Sequence, residues 1–87
     1  MKISQFQQII ADRYKERDTE RGTPATFLWF IEEIGELATA LAKNDQPNKE
    51  EEFADVLAWL ATLANINDVD LEKVCEKYTK GDIIGFK

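Results

Sequence analysis

Apolar residues recur at spacings of three and four along most of the chain, which is the period of one helix face. The first stripe consists of Ile3, Phe6, Ile10 and Tyr14. We therefore predict a first helix over about residues 4–17, with Ser4 as its N-cap. Residues 17–22 are polar and carry no stripe, so they are predicted to form a loop.

A second and wider apolar face follows Thr23 and Pro24, which suit the N-cap and the first position of a helix. We predict that this helix extends to about Lys43. Its apolar members are Phe27, Phe30, Ile31, Ile34, Leu37, Ala38 and Leu41. Gly35 in its interior costs about 1 kcal/mol relative to alanine. It either permits close approach of a backbone or a ligand, or it has no such role.

A third helix is predicted after the turn-rich residues 44–48, over about residues 49–65, with Asn48 as a plausible cap. Its stretch 53–64 is apolar on nearly every side, and a helix of that kind is buried on every side. A chain of 87 residues would struggle to cover such a helix. We therefore expect an oligomer with this helix near the interface.

The last predicted element is a short helix from Leu71 to about Lys80, with Gly81 as its stop signal. The tail at 82–87 is apolar and could pack across a partner subunit. The predicted fold is all-α, a helical bundle of about four helices. Its two long central helices are antiparallel because the connection between them is short. Residues 1–87 are expected to form a single domain.

The amino-acid composition excludes several kinds of partner, catalytic mechanism and metal site. The net charge of −6 repels a nucleic-acid backbone. The sequence contains no run of about 18 apolar residues, so no membrane span is expected. A single cysteine, Cys75, allows no internal disulfide and fits the cytoplasm. The absence of histidine removes Ser-His-Asp and Cys-His catalysis and makes a zinc site very unfavourable. Oxygen ligands remain, and these suit Mg²⁺, Mn²⁺ or Ca²⁺.

Two pairs of acids interrupt the apolar segments. Glu33 and Glu36 share a helix face, as do Glu52 and Asp55, because each pair is separated by three positions. Antiparallel pairing of the two helices would bring the pairs face to face. Four converging carboxylates repel one another, and their pKa values rise unless a cation intervenes. Either pair alone is common on solvated helix faces, so only the combination predicts a site for a divalent ion and a polyphosphate.

Two tryptophans belong to the same faces. Trp29 lies four residues before Glu33, and Trp59 lies four residues after Asp55. Each ring could line a pocket in which a nucleotide base rests against it. The alternative is that both are core or interface residues.

The two acidic motifs, Glu32-Glu33-Ile34-Gly35-Glu36 and Glu52-Phe53-Ala54-Asp55, resemble the Glu-Glu-x-x-Glu … Glu-x-x-Asp signature of the MazG-like nucleotide pyrophosphohydrolases. These enzymes belong to the all-α NTP pyrophosphatase superfamily, and the resemblance extends over about residues 24–75. It implies Mg²⁺-dependent hydrolysis of a nucleoside triphosphate between the α- and β-phosphates, giving the monophosphate and pyrophosphate. Mn²⁺ is the alternative ion.

The resemblance also implies roles for individual residues. The metal ligands implied are Glu33, Glu36, Glu52 and Asp55. Glu32 is assigned to orienting or deprotonating the attacking water, with a purely solvated role left open. Downstream basic residues hold phosphates in the family, which suggests Lys77 and Lys80 here, against the alternative of a solvated helix face. Dimers and tetramers both occur among such proteins, so a homodimer or homotetramer is expected.

The leading hypothesis is thus an enzyme that clears unwanted nucleotides from the cytoplasmic pool. Two alternatives stay open. One is a narrow hydrolase of the same fold, resembling the dUTPases or dCTP pyrophosphatases. The other is a helical interaction module without enzymatic activity, whose acidic faces are solvated or bind a basic partner.

Overall fold

The structure is a computed structural model that describes residues 1–80. Its α-helices are α1 (Ile3–Arg21), α2 (Thr23–Lys43), α3 (Gln46–Ile66) and α4 (Leu71–Val74), and a turn of 3₁₀-helix (Cys75–Tyr78) follows α4. No strand occurs within these residues, so the prediction of an all-α fold with about four helices is confirmed. The predicted stop at Gly81 and the tail 82–87 lie outside the described part of the chain.

The predicted loop at 17–22 is wrong, because α1 continues as far as Arg21. Only Gly22 separates α1 from α2. Its φ of 84° lies in a region that glycine enters readily, and its N–H donates to the carbonyl oxygen of Asp18. The chain can therefore change direction at one residue. In this polar segment, Arg21 bonds to Asp18 of the same helix and to Thr26 of α2.

Three predicted caps are also wrong. Thr23 is the first residue of α2, and Gly22 occupies the N-cap position before it. The residue preceding α1 is Lys2, and Ser4 lies inside the helix. Helix α3 begins earlier than predicted because Asp45, and not Asn48, caps it: the Asp45 side chain accepts a hydrogen bond from the backbone N–H of Asn48. The left-handed conformation of Asn44 ends α2, so only two residues join the two long helices.

Helix α3 is the central element, since it packs against α2 on one side and α1 on another. The short turn makes α2 and α3 antiparallel neighbours, as predicted. At the far end of α3, Gln7 of α1 donates to the side chain of Asn65 and to the carbonyl oxygen of Val69, and accepts from the N–H of Leu71. These hydrogen bonds attach the start of α4 to α1 and α3.

The wide apolar face predicted for α2 is divided between two environments. The side turned toward the other helices consists of Thr26, Phe30, Glu33, Leu37 and Ala40, which are buried or half-buried. The exposed side consists of Phe27, Ile31, Ile34, Ala38 and Leu41. Gly35 is exposed too, and a Cβ added there would meet no atom within 4 Å. Among the described residues, no other segment therefore approaches Gly35 closely.

In the single chain, helix α3 is not buried on every side. Its Ala61, Thr62 and Ala64 are buried, whereas Phe53 and Leu57 are about half exposed. Among the described residues, no helix is both long and apolar enough to cross a membrane.

Candidate functional site

A group of carboxylates occupies the contact between α2 and α3. Glu33 lies on the inward side of α2, and Glu52 faces it from α3. Oxygen atoms of Glu33, Glu36 and Glu52 all lie within 4.8 Å of one another. Oxygen atoms of Glu51, Glu52 and Asp55 lie within the same limit, so Glu52 belongs to both groups. The structure thus brings the four predicted ligands into one continuous cluster.

The cluster leaves buried oxygen atoms without partners. Oε2 of Glu33 and Oε2 of Glu52 are both buried, and neither has a hydrogen-bond partner among the described residues. Burying a carboxylate oxygen without compensation is costly. A hard divalent cation takes carboxylate oxygens as ligands, so the donor set and its unpartnered atoms both fit such an ion.

The same environment changes the acidity of these groups. Burial is the largest of the effects that together raise the pKa of Glu33 to about 7; the others are the charge of Glu36, a hydrogen bond with Glu36 and the charges of Asp55 and Glu52. Burial also raises the pKa of Glu52, with the nearby charges of Glu36 and Asp55 acting in the same direction. A bound cation would oppose all of these effects by favouring the ionised forms.

The positions of two acids, Glu51 and Glu32, differ from what the sequence predicts. Glu51 joins the cluster although it was assigned no role; its spacing of four residues from Asp55 on α3 was the available signal. Glu32 is exposed and belongs to neither group of converging oxygens. It lies beside Glu33 in sequence but on the solvent side of α2.

The two tryptophans meet across the same helix pair. The rings of Trp29 and Trp59 are stacked, with centroids 6.3 Å apart and planes inclined by 14°. The two rings are thus partners of each other in this conformation. Trp29 remains about half exposed, so an outer ring surface is available beside the acids.

Arg21 is a functional candidate that the sequence analysis missed. Its guanidinium carbon lies 5.0 Å from the ring centroid of Trp59. Its Nη2–H donates to Asp18 and its Nε–H donates to Thr26 Oγ1, and both of these partners are buried. The spacing of Asp18 and Arg21, three residues apart, was a signal for one helix face, but the polar segment was interpreted as a loop.

The predicted phosphate-binding lysines have other neighbours. Lys80 forms an ion pair with Glu76 at 3.1 Å, and the ammonium of Lys77 lies 5.2 Å from the ring centroid of Tyr78. Neither lines the cavity of about 260 Å³ that adjoins the acids. The residues that do line it are Glu36, Thr39, Ala40, Lys43, Asn48 and Glu52.

A family model for the MazG nucleotide pyrophosphohydrolase domain matches residues 21–81. The chain belongs to this family. Membership indicates nucleotide pyrophosphohydrolase activity, which is hydrolysis of a phosphoric anhydride, and MazG proteins generally use a divalent metal ion. The resemblance inferred from the two acidic motifs is thereby confirmed. A search among curated proteins finds no significant match to the chain.

Proposed function

We propose that this MazG protein hydrolyses (deoxy)nucleoside triphosphates to the monophosphate and pyrophosphate with Mg²⁺, as a house-cleaning enzyme of the nucleotide pool. The observation that carries the proposal is the carboxylate cluster, in which oxygens of Glu33, Glu36 and Glu52 converge while two of its buried oxygen atoms lack partners within residues 1–80. A structural role alone would leave this electrostatic cost without compensation.

Glu33, Glu36, Glu52 and Asp55 are the proposed ligands of Mg²⁺, with Mn²⁺ as the alternative ion. When bound, the ion supplies neutralisation of phosphate charge and lowers the pKa of a coordinated water. Convergence of these carboxylates from two helices supports the assignment.

Other residues complete the proposed site. Glu32, an exposed carboxylate beside the cluster in sequence, orients or deprotonates the attacking water. The outer surface of the Trp29–Trp59 pair receives the base. Lys77 and Lys80 remain candidates for phosphate contact, although their neighbours within the described chain are Tyr78 and Glu76.

The decisive test compares Glu36→Gln and Asp55→Asn with the wild type in a pyrophosphate-release assay containing Mg²⁺. Loss of a metal ligand removes several kcal/mol of transition-state stabilisation, so each variant should lose on the order of 100-fold or more in kcat/KM. The matched control is Glu20→Gln on the exposed surface of α1, which should keep wild-type activity. Circular dichroism should show unchanged helicity in all three variants. Turnover equal to the wild type in both cluster variants would refute the assignment.

A panel of nucleotides with product analysis addresses specificity. We propose broad hydrolysis of triphosphates, and turnover of a single pyrimidine nucleotide would instead indicate the narrow dUTPase-like or dCTPase-like alternative. Calorimetry with Mg²⁺ and nucleotide separates both from an interaction module, for which no metal-dependent nucleotide binding is expected.

We further propose that residues 1–87 act as one domain in the cytoplasm and assemble as a homodimer or homotetramer. Support for assembly comes from exposed apolar side chains on α3, namely Phe53, Leu57 and Leu60. The net charge of −6 argues against nucleic acid as a partner.

A further inference from the structure

The cavity beside the acid cluster contains a cation that neither acidic motif includes. Lys43 lines it together with Glu36 and Glu52, which belong to the cluster, and with Asn48 at the start of α3. Lys43 is the last residue of α2, seven positions after Glu36 and therefore on the same helix face. The turn formed by Asn44 and Asp45 closes this end of the helix pair.

Lys43 is free to bind an anion, whereas neighbouring polar groups are already used. The Lys49 ammonium donates to Asn44 Oδ1 at 2.7 Å, and the Asn48 side-chain amide donates to Asp45 Oδ2 at 2.9 Å. Within residues 1–80 the structure gives Lys43 no ion pair and no hydrogen bond from its side chain. The ammonium therefore keeps its donors available at the cavity.

The helix pair arranges three kinds of groups in a line. With a rise of about 1.5 Å per residue, Lys43 lies about 10 Å along α2 from Glu36. Trp29 lies about 6 Å from Glu33 in the opposite direction. The acids are thus in the middle, the stacked tryptophans at one end and Lys43 at the other.

The charges around the cavity favour an anion at its Lys43 end. A triphosphate brings several negative charges to a cluster of carboxylates. One divalent ion cannot neutralise the charges of the phosphates and of the carboxylates together. A lysine is a point charge well suited to phosphate oxygens. Among the residues that line this cavity, Lys43 is the only cation.

We propose that Lys43 binds the β- and γ-phosphates of the substrate and so directs the pyrophosphate portion toward the α2–α3 turn. This inference rests on the proposed function and adds the orientation of the nucleotide. In the reaction, a water oxygen bonds to the α-phosphorus and its proton passes to a base. The bond from the α-phosphorus to the bridging oxygen breaks, and pyrophosphate leaves with the electron pair. Lys43 stabilises the charge that develops on this leaving group.

The test is calorimetric binding of magnesium pyrophosphate and, separately, of a nucleoside monophosphate with Mg²⁺. The Lys43→Gln variant should bind pyrophosphate about tenfold more weakly than the wild type, or worse, because it loses a charge-assisted contact with phosphate. Monophosphate binding should stay within about twofold of the wild type. Lys43→Arg should recover most of the pyrophosphate affinity.

Lys49→Gln is the matched control, since it removes the same charge near the same turn from a side chain bonded to Asn44. It should bind pyrophosphate like the wild type. Equal pyrophosphate affinity in Lys43→Gln and the wild type would overturn the inference, as would absence of pyrophosphate binding to the wild type. If Lys43→Gln weakened monophosphate binding more than pyrophosphate binding, the proposed orientation of the nucleotide would be wrong. The wild-type turnover assay is separate: no hydrolysis there would refute the proposed function, while the binding data still decide the role of Lys43.

Discussion

Glu33 is an acidic residue on the buried side of a helix. It continues the inward series of α2 that includes Phe30 and Leu37, yet one of its oxygens is buried without a hydrogen-bond partner in the described part of the chain. A leucine at this position would suit the packing better. The carboxyl group therefore lowers the stability of the metal-free protein and, in our proposal, provides a ligand in return.

This cost predicts a pH dependence of stability in the absence of metal. The folded pKa of Glu33, about 7, lies above its ordinary value of 4.5, so between these pH values the folded state holds a proton that the unfolded state releases. The contribution of Glu33 to the free energy of unfolding should therefore be largest below about pH 4.5 and be lost as the pH rises through about 7. Urea denaturation with EDTA across this range measures it.

Glu33→Gln is the control, because an amide does not titrate. The variant should show a smaller decline in stability between pH 5 and pH 8 than the wild type. At pH 8, Mg²⁺ at about 100 times its dissociation constant should stabilise the wild type by about 2.7 kcal/mol and Glu33→Gln by much less. Parallel pH curves for the two proteins would contradict the assignment of the titration to Glu33.

At the level of elements, the last turn of α1 connects the first helix to the site. Asp18 and Thr26 are almost completely buried, and both bind Arg21, whose guanidinium lies over the ring of Trp59. Trp59 in turn stacks on Trp29 of α2. The three long helices thus meet through one cation and two rings, which positions the aromatic end of the site.

Arg21→Met should destabilise the fold by about 2–3 kcal/mol, because it leaves the buried Asp18 carboxylate without its charged partner. Chemical denaturation measures this loss. The matched control is Arg17→Met: Arg17 is exposed and lies over the ring of Tyr14, so its loss should cost less than about 1 kcal/mol.

A second measurement separates positioning from general stability. The chain has two tryptophans, so near-ultraviolet circular dichroism reports the stacked pair directly. Under conditions where Arg21→Met is fully folded, the signal from coupled indole rings should still be reduced, whereas Arg17→Met should retain it. An unchanged signal in Arg21→Met would show that the rings stack without the guanidinium.

For the whole molecule, the main feature is how little of its apolar surface one chain covers. On α3, Phe53, Leu57 and Leu60 form a stripe with spacings of four and three, and they are 57%, 49% and 40% exposed. On α2, Ile31 and Leu41 are also about half exposed. Exposed apolar stripes on two adjacent helices are typical of surfaces that a second chain covers.

The assembly prediction is that light scattering coupled to gel filtration gives a mass of at least two chains. Leu57→Lys should shift the protein toward the monomer, because a charge in a dry interface is costly. Its helicity should persist, since position 57 is about half exposed in the single chain. Ile9→Lys, at an exposed position of α1, is the control and should retain the wild-type mass. A monomeric wild type would exclude the proposed assembly.

The sequence by itself determined the fold class, the extent of α2, the antiparallel pair and the two acidic motifs. The physical reason is that all of these depend on local order along the chain. Helical periodicity, Thr23 and Pro24 at a helix start, and spacings of three between acids are visible without knowing any distant contact.

Only the tertiary structure decided how residues far apart in sequence share one environment. It shows that α1 continues to Arg21, whose side chain is held by Asp18 and Thr26. It places Glu51 in the carboxylate cluster, stacks the two tryptophans on each other, and opens the cavity that Lys43 and Glu52 both line. Burial and side-chain partnership are set by packing between helices, and periodicity within a single helix does not contain that information.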